Sequence, residues 1–259
     1  MTESIKLSVV IITFNEEKNI ARCLDAAQQV ADEIVVVDSF SKDKTKEICL
    51  SYGVKFVEHA FEGHIQQKNY AITQASYPYV LSLDADEVLS EELQKSILEV
   101  KKNWKYDGYY INRITNYCGK WIKHGGWYPD KKLRLWYAPK GQWTGVNPHD
   151  RFEMQDGCSI SQLNGDLLHY SYYSIHQHLE QVNKFTEIAS KADVERGRTV
   201  TFCGMIVKAM WKFKRDYFFK GGFLDGYYGF IIAAISSFAA FAKYAKIREI
   251  IKSQKKEAN

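Results

Sequence analysis

The 259-residue chain has no C-x-x-C pair: its five cysteines (Cys23, Cys49, Cys118, Cys158, Cys203) are scattered and odd in number. That pattern predicts reduced thiols in a cytosolic compartment, with neither a disulfide framework nor a structural zinc site. Nothing at the start reads as a targeting segment, since Met1 to Lys6 is polar and runs straight into an apolar stretch. Internal repeats, low-complexity tracts and Gly/Pro/Ser-rich linkers are also missing, which predicts one main domain with an appendage. The most apolar segment, Gly226 to Ala242, is bracketed by Asp225 and Lys243. It falls short of the roughly 20 residues a bilayer crossing needs and is expected not to span one. Finally, Thr13-Phe14-Asn15-Glu16, which follows the first apolar run, is not a glycine-rich phosphate loop, and this argues against a nucleotidyltransferase.

What is present is 46% hydrophobic and 14% aromatic, enough for a sizeable core. The net charge of +4 is unevenly placed: residues 200 to 259 hold eleven Lys and Arg against four Asp and Glu, which is +7 and leaves −3 for the rest. A basic, aromatic tail of this kind suits an anionic membrane surface or a solvated face; no nucleic-acid partner is expected.

Leu7 to Phe14, Glu33 to Asp38, Val54 to Glu58 and Tyr79 to Leu83 read as buried strands. Between them lie helical patterns: one capped by Asn15-Glu16-Glu17 with Ile20, Cys23/Leu24 and Ala27 inward, one with Thr45, Ile48, Cys49 and Tyr52 inward and Gly53 as its stop, and one over Ile65 to Ala75. Strands alternating with helices at this spacing predict an α/β fold with a mainly parallel sheet and flanking helices. After Lys102 the pattern changes. Gly108 to Tyr117, Leu133 to Tyr137 and Arg151 to Met154 suit antiparallel strands lying over one side of the sheet, where a substrate pocket is often built. From His169 helices resume, at His176 to Ala192 and Phe202 to Phe219, and the apolar run after them suits a hairpin of amphipathic helices at a membrane interface or a buried subunit contact.

The chemistry gathers at Tyr79-Val80-Leu81-Ser82-Leu83-Asp84-Ala85-Asp86-Glu87, an apolar strand that ends in carboxylates. A parallel strand delivers its tip to the carboxyl edge of the sheet, where ligands bind. Two carboxylates two residues apart can turn toward one point and hold a hard divalent cation with its diphosphate. A helix is expected directly afterwards, because Ser90 can cap it, Glu91 and Glu92 suit the positive end of its dipole, and Leu89, Leu93, Ile97 and Val100 form a core-facing stripe. Alone, Asp-x-Asp is a weak signal, equally at home in a solvated turn.

Together with Val9 to Glu17, Val36-Val37-Asp38-Ser39 and Gln67 to Ala71, the Asp84 motif resembles the family 2 glycosyltransferases of GT-A, Rossmann-like fold. Further on, His124 to Asp130, Arg134-Leu135, Trp143-Thr144-Gly145, Pro148-His149-Asp150 and Gly222 to Gly229 resemble the lipopolysaccharide core β-1,4-glucosyltransferases of the WaaE/KdtX and LgtF type. The likeness spans nearly the whole chain. It implies a GT-A domain over 1–170, with a nucleotide-sugar half at 1–103 and an acceptor half at 104–170, followed by a helical, membrane-associated or oligomerising extension at 171–259.

By that resemblance Phe14, Asn15, Glu16 and Asp38 line the nucleotide site, Lys68 and Asn69 hold base or phosphate, Asp84 contacts ribose or metal-bound water, and Asp86 ligates Mg²⁺ or Mn²⁺ while Glu87 orients the pair. His169 is expected to close over the metal or diphosphate. Asp150 is the expected base, with Asp130 and Glu153 in reserve; the family more often has glutamate after this histidine. The processive Gln-x-x-Arg-Trp motif is absent, so one sugar per encounter is expected. The implied activity is inverting transfer of glucose from UDP-glucose to the inner-core heptose of a lipid A-core acceptor, at the cytoplasmic face of the inner membrane, by a peripheral protein that could be a homo-oligomer. The alternatives are transfer to another envelope glycan and a non-catalytic sugar-nucleotide binder. A haloacid-dehalogenase phosphatase also carries Asp-x-Asp, and Val88 fits its spacing, but its nucleophile sits on the first strand and the upstream strand with Asp38 argues against it.

Overall fold

The computed structural model describes residues 4–146 and 149–257. Pro148 of the Pro148-His149-Asp150 motif lies outside them. The first half runs β1 (Leu7–Thr13), α1 (Ile20–Ala27), β2 (Glu33–Asp38), α2 (Thr45–Ser51), β3 (Lys55–Glu58), α3 (His64–Thr73), β4 (Tyr79–Asp84), β5 (Glu87–Leu89) and α4 (Glu91–Lys102). Then come β6 (Gly108–Tyr117), β7 (Lys120–Ile122), β8 (Asp130–Tyr137), β9 (Gly141–Val146), β10 (His149–Met154), β11 (Ile160–Tyr172), α5 (Ile175–Glu195), α6 (Phe202–Lys214) and α7 (Gly226–Glu257). These form two compact units, one of residues 1–114 and 130–170, the other of 115–129 and 171–259.

The first unit is an α/β sheet in the order β3-β2-β1-β4-β8-β6-β11-β5. The strands β1 to β4 pair in parallel, as their unbroken apolar runs predict. The antiparallel β8 and β6 extend the sheet edgewise instead of lying over it. Only the separate hairpin β9–β10 covers a face, where Trp143 and Phe152 pack with Val10, Val35, Val80 and Trp136. On the opposite face Leu7, Val9 and Ile11 meet α1 and α4. Two residues join β4 to β5, yet three strands separate them in the sheet. Four steps of about 4.8 Å cannot be spanned by a link of roughly 10 Å unless the sheet curls back on itself. That curl draws the end of β4 and the start of β5 into one site.

Helix α4 begins as its sequence predicts, with Ser90 Oγ accepting from Leu93 N at 3.2 Å, Glu91 and Glu92 in the first turn and Lys101 and Lys102 in the last. Burying Leu93 and Ile97 completely contributes about 2 kcal/mol each. Asn15 does not cap α1. It sits at φ 54 and accepts from Lys42 N through Oδ1, and Asn19 takes the cap position with its side chain turned to Glu16 and making no capping bond. Residues 160–172, for which the sequence suggests no strand, form the 13-residue strand β11, so the helices resume after Tyr172 and not at His169.

In the second unit β7 pairs with Thr115–Tyr117 at the end of β6. Helix α6 stops at Lys214 and continues as one wider turn, Arg215–Phe219. The apolar run opens a 32-residue helix, α7, longer than the sequence suggests, which packs back against α6 as a helical hairpin with Ser237 Oγ donating to the Ala209 carbonyl at 2.7 Å. A helical stretch over 222–254 is long and apolar enough to cross a membrane by length and composition, so the short-run argument from sequence fails. Asp225, almost wholly buried, accepts from the backbone N–H groups of Lys123 and His124, which ties the His124-Gly125-Gly126 segment to the Gly222–Gly229 turn.

Candidate active site

The register of the sheet fixes the site. Thr13 pairs with Asp38 and Ile12 with Asp84, so both carboxylates stand at the carboxyl edge on either side of β1. Asp38 is 1% exposed, and its oxygens accept from the backbone N–H and hydroxyl of Ser41. In this geometry Asp38 therefore orders the 39–43 loop, whose Ser41 Oγ in turn accepts from Asn15 N at 2.8 Å. The side chains left open beside that loop are Phe14 and Phe40, each 54% exposed, an aromatic edge on which a base could stack. Glu16 is held by its N–H donating to Thr45 Oγ1 and its carboxylate accepting from Asn19 Nδ2. Burial pushes the Glu16 pKa up, the Asn19 bond opposes this, and the nearby charge of Asp86 adds to the rise.

Asp84 is the centre of an ionic network. Its oxygens lie 3.2 Å from Lys68 Nζ and 2.9 Å from Arg134 Nη2. Burial works to raise its pKa, but Lys68 and Arg134, with Arg113 behind them, outweigh it and hold the carboxyl well below the usual range. Glu87 is fully buried beneath it, accepting from Asp84 N at 3.0 Å, Arg134 Nη2 at 2.7 Å and Arg113 Nη1 at 3.2 Å. Lys68 also reaches Asp150 Oδ2 at 2.8 Å, and its ammonium sits 4.5 Å from the Trp143 ring centre. Asn69 spends its side-chain amide on the Trp143 main chain, donating to the carbonyl and accepting from the N–H, each at 2.9 Å. It thus clamps the hairpin onto α3.

Asp86 lies on the other side of the curl. Its Oδ2 is 3.1 Å from His169 Nε2, because β11 pairs His169 with Glu87. The two reserves for the base are engaged elsewhere: Asp130 with Arg113 and Lys132, and Glu153 with Arg151. Asp150 lines the same cleft as Asp84. Among the described residues no group of three or more His, Cys, Asp or Glu forms a ready-made metal cage. The pair of Asp86 and His169, with His169 Nδ1 buried and unbonded, fits only a cation that completes its shell with substrate oxygens. Sequence reasoning gave no role to Arg113 and Arg134. A charged residue inside the apolar run Leu133-Arg134-Leu135-Trp136 was the available signal, because a buried charge must be paired.

The family model of Glycosyl transferase family 2 matches residues 8–213. An uncharacterized glycosyltransferase of Rickettsia typhi is 31% identical over 255 residues, covering 95% of this chain and 87% of that one. The lipopolysaccharide core biosynthesis glycosyltransferase LpsC of Rhizobium meliloti is 28% identical over 253 residues, covering 95% and 93%. Among solved structures, the mannosyltransferase PcManGT from Pyrobaculum calidifontis, in complex with GDP-Man and Mn²⁺, aligns with a TM-score of 0.56 at 13% identity, covering 95% of this chain and 88% of that one, a likeness of fold. The curled sheet, the carboxylate edge and these matches agree: the chain belongs to glycosyl transferase family 2.

Proposed function

We propose that the protein is an inverting transferase that moves one hexose, glucose from UDP-glucose, to the inner-core heptose of a lipid-anchored lipopolysaccharide acceptor. The observation that carries the reading is the bridge Asp84–Lys68–Asp150, in which one buried lysine links the donor-side carboxylate to the candidate base across the cleft. Asp150 takes the proton of the acceptor hydroxyl as it attacks the anomeric carbon, and a single displacement inverts that centre. Lys68 places positive charge where the diphosphate leaves, and Arg134 and Glu87 hold Asp84 in place. Asp86 and His169 would hold a Mg²⁺ or Mn²⁺ ion, which when bound supplies charge compensation on the departing UDP. The lipopolysaccharide acceptor is favoured by likeness to LpsC along nearly the full length of both chains.

A sugar-nucleotide thermal-shift screen with each metal, followed by UDP release with and without a heptose-terminated acceptor, tests this. UDP-glucose should stabilise the protein only with a divalent cation, by roughly 2.7 kcal/mol at 100 times its dissociation constant. Acceptor should accelerate UDP release; donor binding without acceptor-dependent release would leave a non-catalytic binder.

The same reading makes the protein peripheral on an anionic membrane. In the second unit Val207, Trp211, Phe218, Phe219, Leu224 and Tyr227 are all more than half exposed, among the lysines of α6 and the following turn. Each lysine near an anionic leaflet contributes about 1 kcal/mol, and the effect fades with salt. Lys212 and Arg215 are spoken for, both pairing with the buried Asp216. Among the described residues Lys208, Lys214 and Lys220 of this region pair with no carboxylate, Lys208 lying over the Tyr244 ring. Neutralising these three should abolish low-salt co-sedimentation with anionic vesicles while transfer to a soluble acceptor survives. A wild-type protein that ignores such vesicles would refute peripheral attachment and favour α7 as a subunit contact.

A further inference from the structure

A cleft of about 610 Å³ opens beside Asp84 in the first unit. Its lining presents six cationic side chains, Lys68, Arg113, Lys131, Lys132, Arg134 and Arg151, against two carboxylates, Asp84 and Asp150. Most of these cations have partners. Arg113 and Lys132 meet Asp130, Arg151 meets Glu153, and Arg134 bridges Asp84 and Glu87. Three of those carboxylates, however, do not line the cleft, and Glu87 is wholly buried beneath it. Lys131 is exposed and pairs with no carboxylate among the described residues. The face offered to a ligand is therefore cationic, and low-dielectric walls focus such a field.

Arg134 adds a second, independent observation. It is 3% exposed and uses only Nη2, while Nε and Nη1 are buried with no hydrogen-bond partner. Leaving a buried donor unmade costs about 1–3 kcal/mol, and more for a charged group. The position is a built feature of the strand: Tyr109 faces Leu135 while Tyr110 faces Leu133, so Arg134 is the extra residue of a β-bulge, a device that re-aims a side chain. The bulge sets an incompletely satisfied guanidinium under the cleft, with its Cζ 5.6 Å from the Trp143 ring, and Trp143 Nε1 is also buried and unbonded.

We propose that this wall, Lys131, Lys132, Arg113 and Arg151 over the buried Arg134, is an acceptor subsite that recognises an anionic group, phosphoryl or carboxylate, carried on the glycan. The inference rests on the transferase reading of the same site and specifies its acceptor: the anion seats on the cationic wall and a neighbouring hydroxyl is presented to Asp150. The donor's own diphosphate is the other source of the same chemistry.

Titration calorimetry with three probes separates these sources: a heptose bearing a phosphate monoester, one bearing a carboxylate, and the neutral heptose. At low salt at least one charged probe should bind ten-fold or more tightly than the neutral one. The gap should shrink at least three-fold in the double variant Lys131→Ala/Arg151→Ala, whose replaced side chains are exposed and spare the buried network. Saturating UDP should leave the charged probe's affinity unchanged. Equal binding of all three probes overturns the proposal, and so does displacement of the phosphate probe by UDP, which would make the wall a diphosphate site. A sugar-nucleotide thermal shift, run in parallel, reads the transferase assignment alone; if it fails, the charged-versus-neutral comparison still decides the subsite.

Discussion

Replacing Asp150 by Asn should separate chemistry from binding, and the structure shows why the variant will still fold. Losing one partner of a buried ion pair usually costs about 3–5 kcal/mol, because the other charge is stranded. Here Lys68 keeps Asp84 at 3.2 Å and the Trp143 ring at 4.5 Å, so its ammonium is not orphaned. The asparagine can still accept from it through its amide oxygen. The expected change in stability is therefore below about 1.5 kcal/mol, the range of a single hydrogen bond. Loss of a general base lowers the rate by roughly 10²–10⁴-fold, which is about 2.7–5.4 kcal/mol in the barrier. The assay is acceptor-dependent UDP release at saturating donor, alongside donor affinity from thermal shift. Transfer should fall by that factor with donor affinity held within about two-fold of wild type. Near-normal turnover in a folded Asp150→Asn protein would refute the assignment, and Asp130 and Glu153 would be tested next despite their own ion pairs.

Glu87→Gln removes the charge that Arg134 and Arg113 share beneath the site, and denaturant unfolding should show a loss of about 3 kcal/mol; an unchanged midpoint would mean Asp84 and Asp130 suffice for both guanidiniums. His178 is 5% exposed, and burial pushes its pKa down from 6.5 to about 4, so the unfolded chain binds the extra proton first: stability should be flat above about pH 6.5 and fall by about 3 kcal/mol as pH drops to about 4. A His178→Phe variant should flatten that decline, and an unaltered slope would assign it to other groups. Gly229→Ala would put a Cβ 1.8 Å from the Gly222 carbonyl oxygen, so thermal unfolding should show a destabilisation of about 2 kcal/mol or more, and a wild-type melting temperature would mean the turn can yield.

The parallel half of the sheet was legible because each strand is a short apolar run closed by a turn signal, and burial on both faces leaves little else for such a run to do. The strand β11 was not legible, for an equally physical reason. Of its thirteen residues only Leu163 and Leu167 are buried, so it shows neither an apolar run nor strict alternation. Its Gly165 looks like a loop signal. In the structure that glycine, at φ 88, lets the strand pass the start of α4, where a Cβ would stand 2.3 Å from Leu93 N. What reads locally as a breaker is a close approach between elements some 70 residues apart. The 32-residue length of α7 was hidden for the converse reason, since the lysines after residue 242 end the apolar run without ending the helix.

The candidate site divides along the same line. Motif reading placed Asp38, Asp84 and Asp86 at one edge, because strand direction alone does that. It could not show how each carboxylate is used, since that depends on partners brought from elsewhere in the chain. Asp38 is taken up by Ser41, three residues away, in a contact a local turn makes by itself. Asp84 is taken up by Lys68 and Arg134, and through Lys68 it is joined to Asp150, 82 residues beyond that lysine. A buried lysine shared by two carboxylates makes their charges interdependent. Anything that draws Lys68 toward a diphosphate would loosen its hold on Asp150, so the donor side and the candidate base are linked through one ammonium. Roles assigned one residue at a time miss that coupling, which is why the acceptor side of this site is better probed with donor bound than without it.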